Sequence, residues 1–402
     1  MHRSEPCATP PRIIYIGHNT IGIKPVRGIH IKVFVTDANY KHSLGAIRSL
    51  GAKGMHTIAG SQWRFSASFC SNYCSEKIIY PHLDDEGNFI RFMTDYLEKN
   101  KVDVLLPIGY HSTATIERHR EELGKVTRLA LASRESMEIA ANKDKTMRFA
   151  EKIGIPSPKT YADKSEVETF PVVAKPAREI GGMRYVNSKE ELARVPEGFV
   201  IQDYIPGEGY GLFSLFNKGK LRAVFMHKRI REFPITGGAS TAAESVFIPE
   251  LKEAGLKLLT ALNWHGVAMA EFKLDSRDGK FKLMEINPKF WGSLDLAIAC
   301  GVDFPYLAVM MAYNGDVEPV MEYKAGVRFK WTFPDDFMHF VAYPSSAKEI
   351  LRDTLHGGVV TNMRWDDPLP NVYQIALSFA RLGKLLKGGV PRYPHGVPKL
   401  IA

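Results

Sequence analysis

Glu271, Glu285 and Asn287 are the residues of this 402-residue sequence whose types and spacing best support chemistry. Glu285 and Asn287 stand two apart in Lys280-Phe-Lys-Leu-Met-Glu-Ile-Asn287, a run with strand character, so their side chains share one face. Glu271 lies in a second such run, Gly266–Leu274, and Asp275-Ser-Arg-Asp-Gly279 between the two has the composition of a turn. A hairpin folded there sets Glu271 across from Glu285. Two carboxylates and an amide oxygen on one face suit a hard cation such as Mg²⁺, which takes one or two carboxylates and leaves the rest of its shell to phosphates and water. The plainer alternative is a half-exposed strand pair whose polar face happens to be acidic.

Basic and glycine-bearing segments add to this. Lys175 ends the apolar run Pro171-Val-Val-Ala-Lys175, and Gly181 and Gly182 follow it in a loop where backbone N–H groups can approach phosphate oxygens closely. Read alone, Lys175 is more simply a surface charge on an aliphatic stem. His227–Ser240 reads as a loop in which Arg229 and Arg231 present forks for a carboxylate or phosphate, with Gly237-Gly238 bringing backbone near a ligand. Asp295 is either an amine-recognising carboxylate or a charge at a helix N-terminus.

The elements that must position these residues fall into an α/β part and an α+β part. Strand-like runs at Arg12–Gly17, Ile31–Asp37, Lys77–Tyr80, Val102–Pro107 and Thr127–Leu131 alternate with helical patterns at His42–Leu50, Asn88–Lys99 and Ser112–Leu123. Alternation of this kind predicts a parallel sheet with ligands beyond its carboxyl ends, near Gly17-His18, Asp37 and Gly109-Tyr110. A single helix is expected from about Arg134 to Ile153, closed by Gly154 and two prolines. Strands at 171–176, 199–204, 212–216 and 221–226 follow, the last two joined by a hairpin loop at Asn217–Lys220. The predicted organisation is an N-terminal α/β domain over 1–133, an α+β domain of two lobes over 134–325, and a C-terminal extension over 326–402.

Met284-Glu-Ile-Asn-Pro-Lys-Phe-Trp-Gly-Ser-Leu-Asp295 resembles the metal-binding strand and following loop of ATP-grasp enzymes, nearest to carboligase-like members such as carbamoyl-phosphate synthetase and D-alanine–D-alanine ligase. The resemblance implies that Glu271, Glu285 and Asn287 hold Mg²⁺, with Mn²⁺ as the alternative ion. It implies that Lys289 is the transition-state cation, where the family usually has Arg. Asn142-Lys-Asp-Lys145 resembles the segment whose basic residue reaches the nucleotide phosphates, which points to Lys145. Lys175 matches the lysine on the α/β-phosphates, and the loop with Gly181 and Gly182 matches the phosphate flap. Gln202-Asp-Tyr-Ile-Pro-Gly-Glu208 resembles the hinge that holds adenine, which implicates Gln202, Tyr204 and Ile205, with Glu208 on the ribose. A stretch like Arg229–Gly238 precedes the metal strands in carboligase-like relatives, implying substrate or phosphate contact for Arg229 and Arg231. The implied fold is ATP-grasp with an N-terminal parallel-sheet domain.

The implied activity is ATP-dependent carboxylate–amine ligation, forming an amide or peptide bond through an acyl phosphate with release of ADP and phosphate. The alternatives are a carbamoylating or carboxylating enzyme and a non-catalytic nucleotide-binding protein. The partners are then a small carboxylate and amine, amino acids or a peptide among them, with a homodimer left open.

Bulk properties agree. Hydrophobic residues at 45% and charged residues at 24% describe a globular chain. No apolar stretch approaches the roughly 20 residues that span a bilayer, and Met1–Pro11 lacks a secretory apolar core. Four cysteines without a CxxC pair fit a reducing cytoplasm. A net charge of +9 favours anionic partners, but scattered basic residues without a nucleic-acid motif argue against nucleic acid. Val372–Lys387 has apolar residues at helical spacing interspersed with Arg381, Lys384 and Lys387. It reads as a basic helix covering the body, with a membrane surface as the lesser alternative.

Overall fold

The computed structural model describes residues 30–178, 183–234, 237–355 and 358–388. The expected strand at Arg12–Gly17 and the loop glycines Gly181 and Gly182 lie outside the described residues. Strands β1 (Lys32–Val35), β2 (His56–Ser61), β3 (Glu76–Ile79) and β4 (Val104–Leu106) form a fully parallel sheet in the order β3-β2-β1-β4. Helices α1 (Lys41–Ala52), α2 (Glu86–Lys99), α3 (Tyr110–Arg118) and α4 (Arg120–Leu123) connect and follow these strands. β2 escapes a sequence reading because its buried side chains are small: Thr57, Ala59 and Ser61 give no hydrophobic run. At Gly60 an added Cβ would fall 2.4 Å from the Phe34 ring. The expected strand at 127–131 reduces to one isolated bridge between Val104 and Arg128.

The single helix expected over 134–153 is two, α5 (Arg134–Ala141) and α6 (Lys143–Lys152). Asn142 between them is extended, at φ −113° and ψ 112°, and its side chain accepts the Lys145 backbone N–H at 3.2 Å. An N-cap has replaced a helical turn. Beyond it, β5 (Thr160–Tyr161), β6 (Val172–Pro176), β7 (Arg184–Val186), helix α7 (Lys189–Ala193) and β8 (Phe199–Asp203) make a small antiparallel lobe in the order β5-β8-β6-β7.

The large lobe is a seven-stranded sheet. It comprises β9 (Gly207–Asn217), β10 (Lys220–Phe233), β11 (Ala239–Ser245), β12 (Gly266–Asp275), β13 (Phe281–Asn287), β14 (Arg328–Lys330) and β15 (Val359–Thr361), ordered β13-β12-β9-β10-β11-β14-β15. The β9–β10 hairpin turns through Lys218 at φ 48° and Gly219 at φ 78°, two successive positive values that match the right-handed twist of the flanking strands. Helices α8 (Pro249–Ala261), α9 (Leu294–Ala299) and α10 (Phe304–Asn314) pack on this sheet, and α11 (Phe337–Ala342), α12 (Ala347–Leu355) and α13 (Pro368–Gly388) complete the described elements. Residues after 325 are therefore more than an appendage, because β14 and β15 extend the central sheet.

The stretch expected to be a loop around Arg229 and Arg231 is instead strand. β10 runs to Phe233, and the ladder with β11 shifts register between Arg229 and Arg231. A bulge there breaks the two-residue alternation, so the two arginines leave the strand in different directions.

Candidate active site

The site grows from one hairpin. β12 and β13 are antiparallel, with Glu271 directly opposite Glu285 and Met269 opposite Asn287. The hairpin closes at Asp275–Gly279, where Gly279 adopts φ 68° and donates to the Asp275 carbonyl at 2.8 Å. Asn287 Nδ2 donates to Glu285 Oε1 at 2.8 Å, tying together the two residues that share a face.

Cations converge on this acidic pair from three directions. Arg229 on β10 reaches Glu271 at 2.7 Å. Lys143, the first residue of α6, lies 3.9 Å from Glu285, and its backbone N–H donates to the Ala177 carbonyl just past β6. Lys175 on β6 and Lys289 after β13 face both carboxylates. Burial opposes ionisation of Glu285, yet Lys143, Lys175, the Asn287 amide and Lys289 together hold its pKa below the usual carboxylate range. Burial raises Glu271 instead, with Glu285 adding to that and Arg229 opposing it. Lys175 and Lys289 are both lowered by burial, against the pull of the two glutamates. Lys289 also attracts Asp37 at the carboxyl end of β1, where Asp37 accepts from the Gly109 N–H at 2.8 Å and from the Thr36 hydroxyl at 2.5 Å. The parallel sheet thus points its ligand-facing edge at the hairpin.

The donor set fits magnesium. It is all hard oxygen, and among the described residues no group of three or more His, Cys, Asp or Glu gathers that would make a closed cage. Two carboxylates and an amide leave most of an octahedral shell to phosphate and water. With Glu232 beside Arg229 and Lys273 facing both Glu232 and Glu271, five cations stand against three carboxylates, and the positive surplus suits a polyphosphate.

Other expected residues lie as follows. Gln202 is buried and donates to the Thr160 hydroxyl at 3.1 Å, while its Oε1 has no partner. Tyr204 and Ile205 are buried in the hinge between β8 and β9. Glu208 is exposed and pairs with Lys228 at 2.6 Å. Asp295 sits in the first turn of α9 and accepts the Trp331 indole N–H at 2.9 Å. The space beside Gly237 and Gly238 is filled by protein: a Cβ on Gly238 would fall 2.1 Å from the Phe233 carbonyl carbon, and one on Gly237 would fall 2.4 Å from the Met183 methyl.

Two expectations need correction. Arg231 does not enter the cluster; it is buried against Asp336 at 2.9 and 3.0 Å and Asp353 at 2.7 Å, because the bulge turns it toward the C-terminal segment. Lys145 also stands apart, paired with Glu138 at 2.7 Å, and Lys143 takes the place facing the carboxylates. The break at Asn142 is the cause, since a continuous helix would have aimed these side chains differently. Asn142 followed by Asp144 in the first turn was the available N-cap signal. Lys273 also went unread. Two residues along from Glu271, it donates to the Ile205 carbonyl at 2.9 Å and lies 5.3 Å from the Tyr204 ring centre, linking the hinge to the metal strand.

Comparison with known proteins places relatives on the same fold. Residues 196–333 match a family described as ATP-grasp in the biosynthetic pathway with Ter operon. A D-alanine–D-alanine ligase of Fusobacterium nucleatum is 27% identical over 169 residues, 37% of this chain and 56% of the relative. A D-aspartate ligase of Enterococcus faecium is 24% identical over 252 residues, 52% of this chain and 59% of the relative. The chain thus spans little more than half the length of these relatives. Among solved structures, an L-amino acid ligase from Bacillus licheniformis superposes with a TM-score of 0.58 at 17% identity, covering 72% of this chain and 76% of that one. The biotin carboxylase domain of Hydrogenobacter thermophilus 2-oxoglutarate carboxylase, bound to MgADP and bicarbonate, gives 0.60 at 15% identity, covering 75% and 74%.

Proposed function

From the premise that this chain is built on an ATP-grasp domain, we propose that it is a ligase that activates a carboxylate with ATP and joins it to an amine. The observation that carries the reading is the pairing of Glu271 with Glu285 on adjacent strands inside a ring of Lys143, Lys175, Arg229 and Lys289. Glu271, Glu285 and Asn287 would hold magnesium, which when bound neutralises charge on the terminal phosphates. Lys175 and Lys143 bind the polyphosphate, the Tyr204–Ile205 hinge takes the adenine, and Glu208 takes the ribose.

Phosphoryl transfer asks the protein mainly for positioning and electrostatics. The substrate carboxylate oxygen attacks the γ-phosphorus, the bond to the β-phosphate oxygen breaks, and ADP leaves. The amine then attacks the acyl carbon, phosphate departs, and an amide remains. Lys289 would stabilise the transferring group. Arg229, held by Glu271 and Glu232, presents its guanidinium to the carboxylate or to the anion that develops from it. Three of the similar proteins are named for ligation of amino acids, which favours amino acids as the two substrates.

The test is purified protein with Mg-ATP and pools of amino acids, read for nucleotide product and for the mass of the conjugate. ADP and phosphate with an amide of the two substrates are expected. AMP and pyrophosphate would remove the acyl phosphate, and bicarbonate-dependent turnover without an amine would favour carboxylation. Glu285→Gln is expected to abolish turnover with the fold intact; near-normal activity would take Glu285 out of the metal site.

A further inference from the structure

Helix α13 turns polar residues inward beside Pro370, Ile375, Leu377 and Leu382 and leaves an apolar stripe outward. Asn371, Gln374 and Ser378 on one side of it are buried. Leu369, Val372 and Phe379 on the opposite side are 58%, 63% and 61% exposed. The inward polar residues are hydrogen-bonded. Asn371 donates to the Arg364 carbonyl at 2.7 Å, Gln374 accepts from Asn362 at 3.0 Å, and Ser378 donates to the Gln374 carbonyl at 2.7 Å. The bonds to Arg364 and Asn362, which lie outside the helix, fix its rotation, so the outward apolar stripe is a specified feature. It continues onto the N-terminal part of the chain. Tyr373 on the same helix donates to the Phe65 carbonyl at 3.2 Å, and Phe65 and Trp63 are 78% and 52% exposed.

Basic residues predominate on the rim of this face, although Asp366, paired with Arg364, stands just before the helix. Arg64 between the two aromatics is exposed, as are Lys384 and Lys387 on the last turns of α13. From Pro368 to Ala402 the sequence has five Lys and Arg and no Asp or Glu. A second copy of this chain would bring that cationic rim against itself. Among the described residues no helix is long and apolar enough to cross a membrane.

We propose that α13 and the Trp63–Phe65 loop form a docking surface for an anionic lipid bilayer, lying in the headgroup region with the apolar stripe inserted and the lysines on the phosphates. Tryptophan and phenylalanine beside basic residues are the side chains that favour this boundary. The proposal does not depend on the ligase reading, since none of these residues touches the carboxylate cluster.

Sedimentation of the full chain with vesicles tests it. Phosphatidylcholine vesicles containing phosphatidylglycerol should carry the protein down at low salt, pure phosphatidylcholine should not, and high salt should release it. Replacing both lysines, as Lys384→Gln with Lys387→Gln, should weaken binding roughly 30-fold, from about fivefold per lysine. Phe379→Ser with Val372→Ser should also abolish sedimentation. Both positions are largely exposed, with Phe379 lying 6.0 Å from the Phe337 ring, so the unfolding midpoint should move little. No sedimentation with anionic vesicles, or equal sedimentation by the variants, overturns the proposal. So does light scattering that shows a dimer dissolved by Phe379→Ser, which would give this face to a second copy.

Discussion

Lys143 and Lys145 stand two residues apart and do different things, and that difference can be measured. Lys143 lies within 3.9 Å of Glu285, whereas Lys145 is taken by Glu138. Lys143→Ala is expected to lower kcat by about 10²-fold, the scale for losing one preorganised charge at a phosphoryl-transfer site. Lys145→Ala should change it only a few-fold, and steady-state ADP release on the two variants decides between them. A second residue-scale prediction concerns His227, buried, stacked 4.7 Å from the Phe213 ring, and pushed down to about 3 by burial and by Arg229. An unfolded imidazole titrates near 6.5, so on acidification the unfolded chain takes this proton first. Its contribution to stability is intact above about pH 6.5 and shrinks as the pH falls toward 3. Between about pH 6.5 and 5 the loss is about 2 kcal/mol. Urea unfolding at about pH 7 and pH 5 should show His227→Gln losing less stability than the parent over that interval; an equal loss would refute the assignment. Glu271, Glu285 and Asn287 were legible because strand periodicity and one turn sufficed to bring them together. Lys143 was not, because its direction depends on a single extended residue, Asn142, inside an otherwise helical pattern.

At the scale of elements, β10 shows how a local irregularity divides two functions between neighbouring arginines. Arg229 reaches the hairpin carboxylate, whereas Arg231 is buried between Asp336 and Asp353 and fastens the segment after β14. Removing one partner of a buried pair leaves uncompensated charge and costs about 3–5 kcal/mol. Arg231→Ala should therefore lower the unfolding midpoint sharply, and Arg229→Ala should abolish ligation at a much smaller cost in stability. If thermal melts and activity rank the two variants the other way, the assignment is reversed. The alternation of residues along a regular strand predicts that both arginines share a face, and no residue type in His227–Phe233 announces the bulge. The short strands β5, β7, β14 and β15 were also invisible, since two or three residues carry no periodicity and owe their pairing to neighbours distant in sequence. The strands β9, β12 and β13 and the helices α1, α2 and α8, in contrast, follow from pattern and punctuation.

At the scale of the whole molecule, the parallel sheet depends on the rest of the chain. One of its faces, with Phe34, Ile58 and Leu105, is covered by its own helices through Phe89, Met93 and Ile116. The opposite face contributes Val33, Val35, Ala59 and Ile47 of α1 to a core that also contains Phe213 and Phe225 of the central sheet, Leu296 of α9, Phe304 of α10, and Trp331. Parallel sheets are stable when both faces are covered, and here one cover comes from residues beyond 200. A polar clasp works in the same direction. Arg48 on α1 donates to Asp367 at 2.8 Å and to the Asn362 carbonyl at 2.9 Å, and Asp367 also accepts from Ser71 and from the Asn72 backbone. The boundary expected at residue 133 therefore separates two architectures that share one core and one polar clasp. A fragment of residues 30–133 expressed alone should lack cooperative unfolding and bind a hydrophobic dye, because one sheet face and the buried Arg48 would be left without partners. The full chain should unfold in a single transition. A fragment that melts sharply by circular dichroism without dye binding would show that the sheet needs no outside cover and would separate the two parts of this chain.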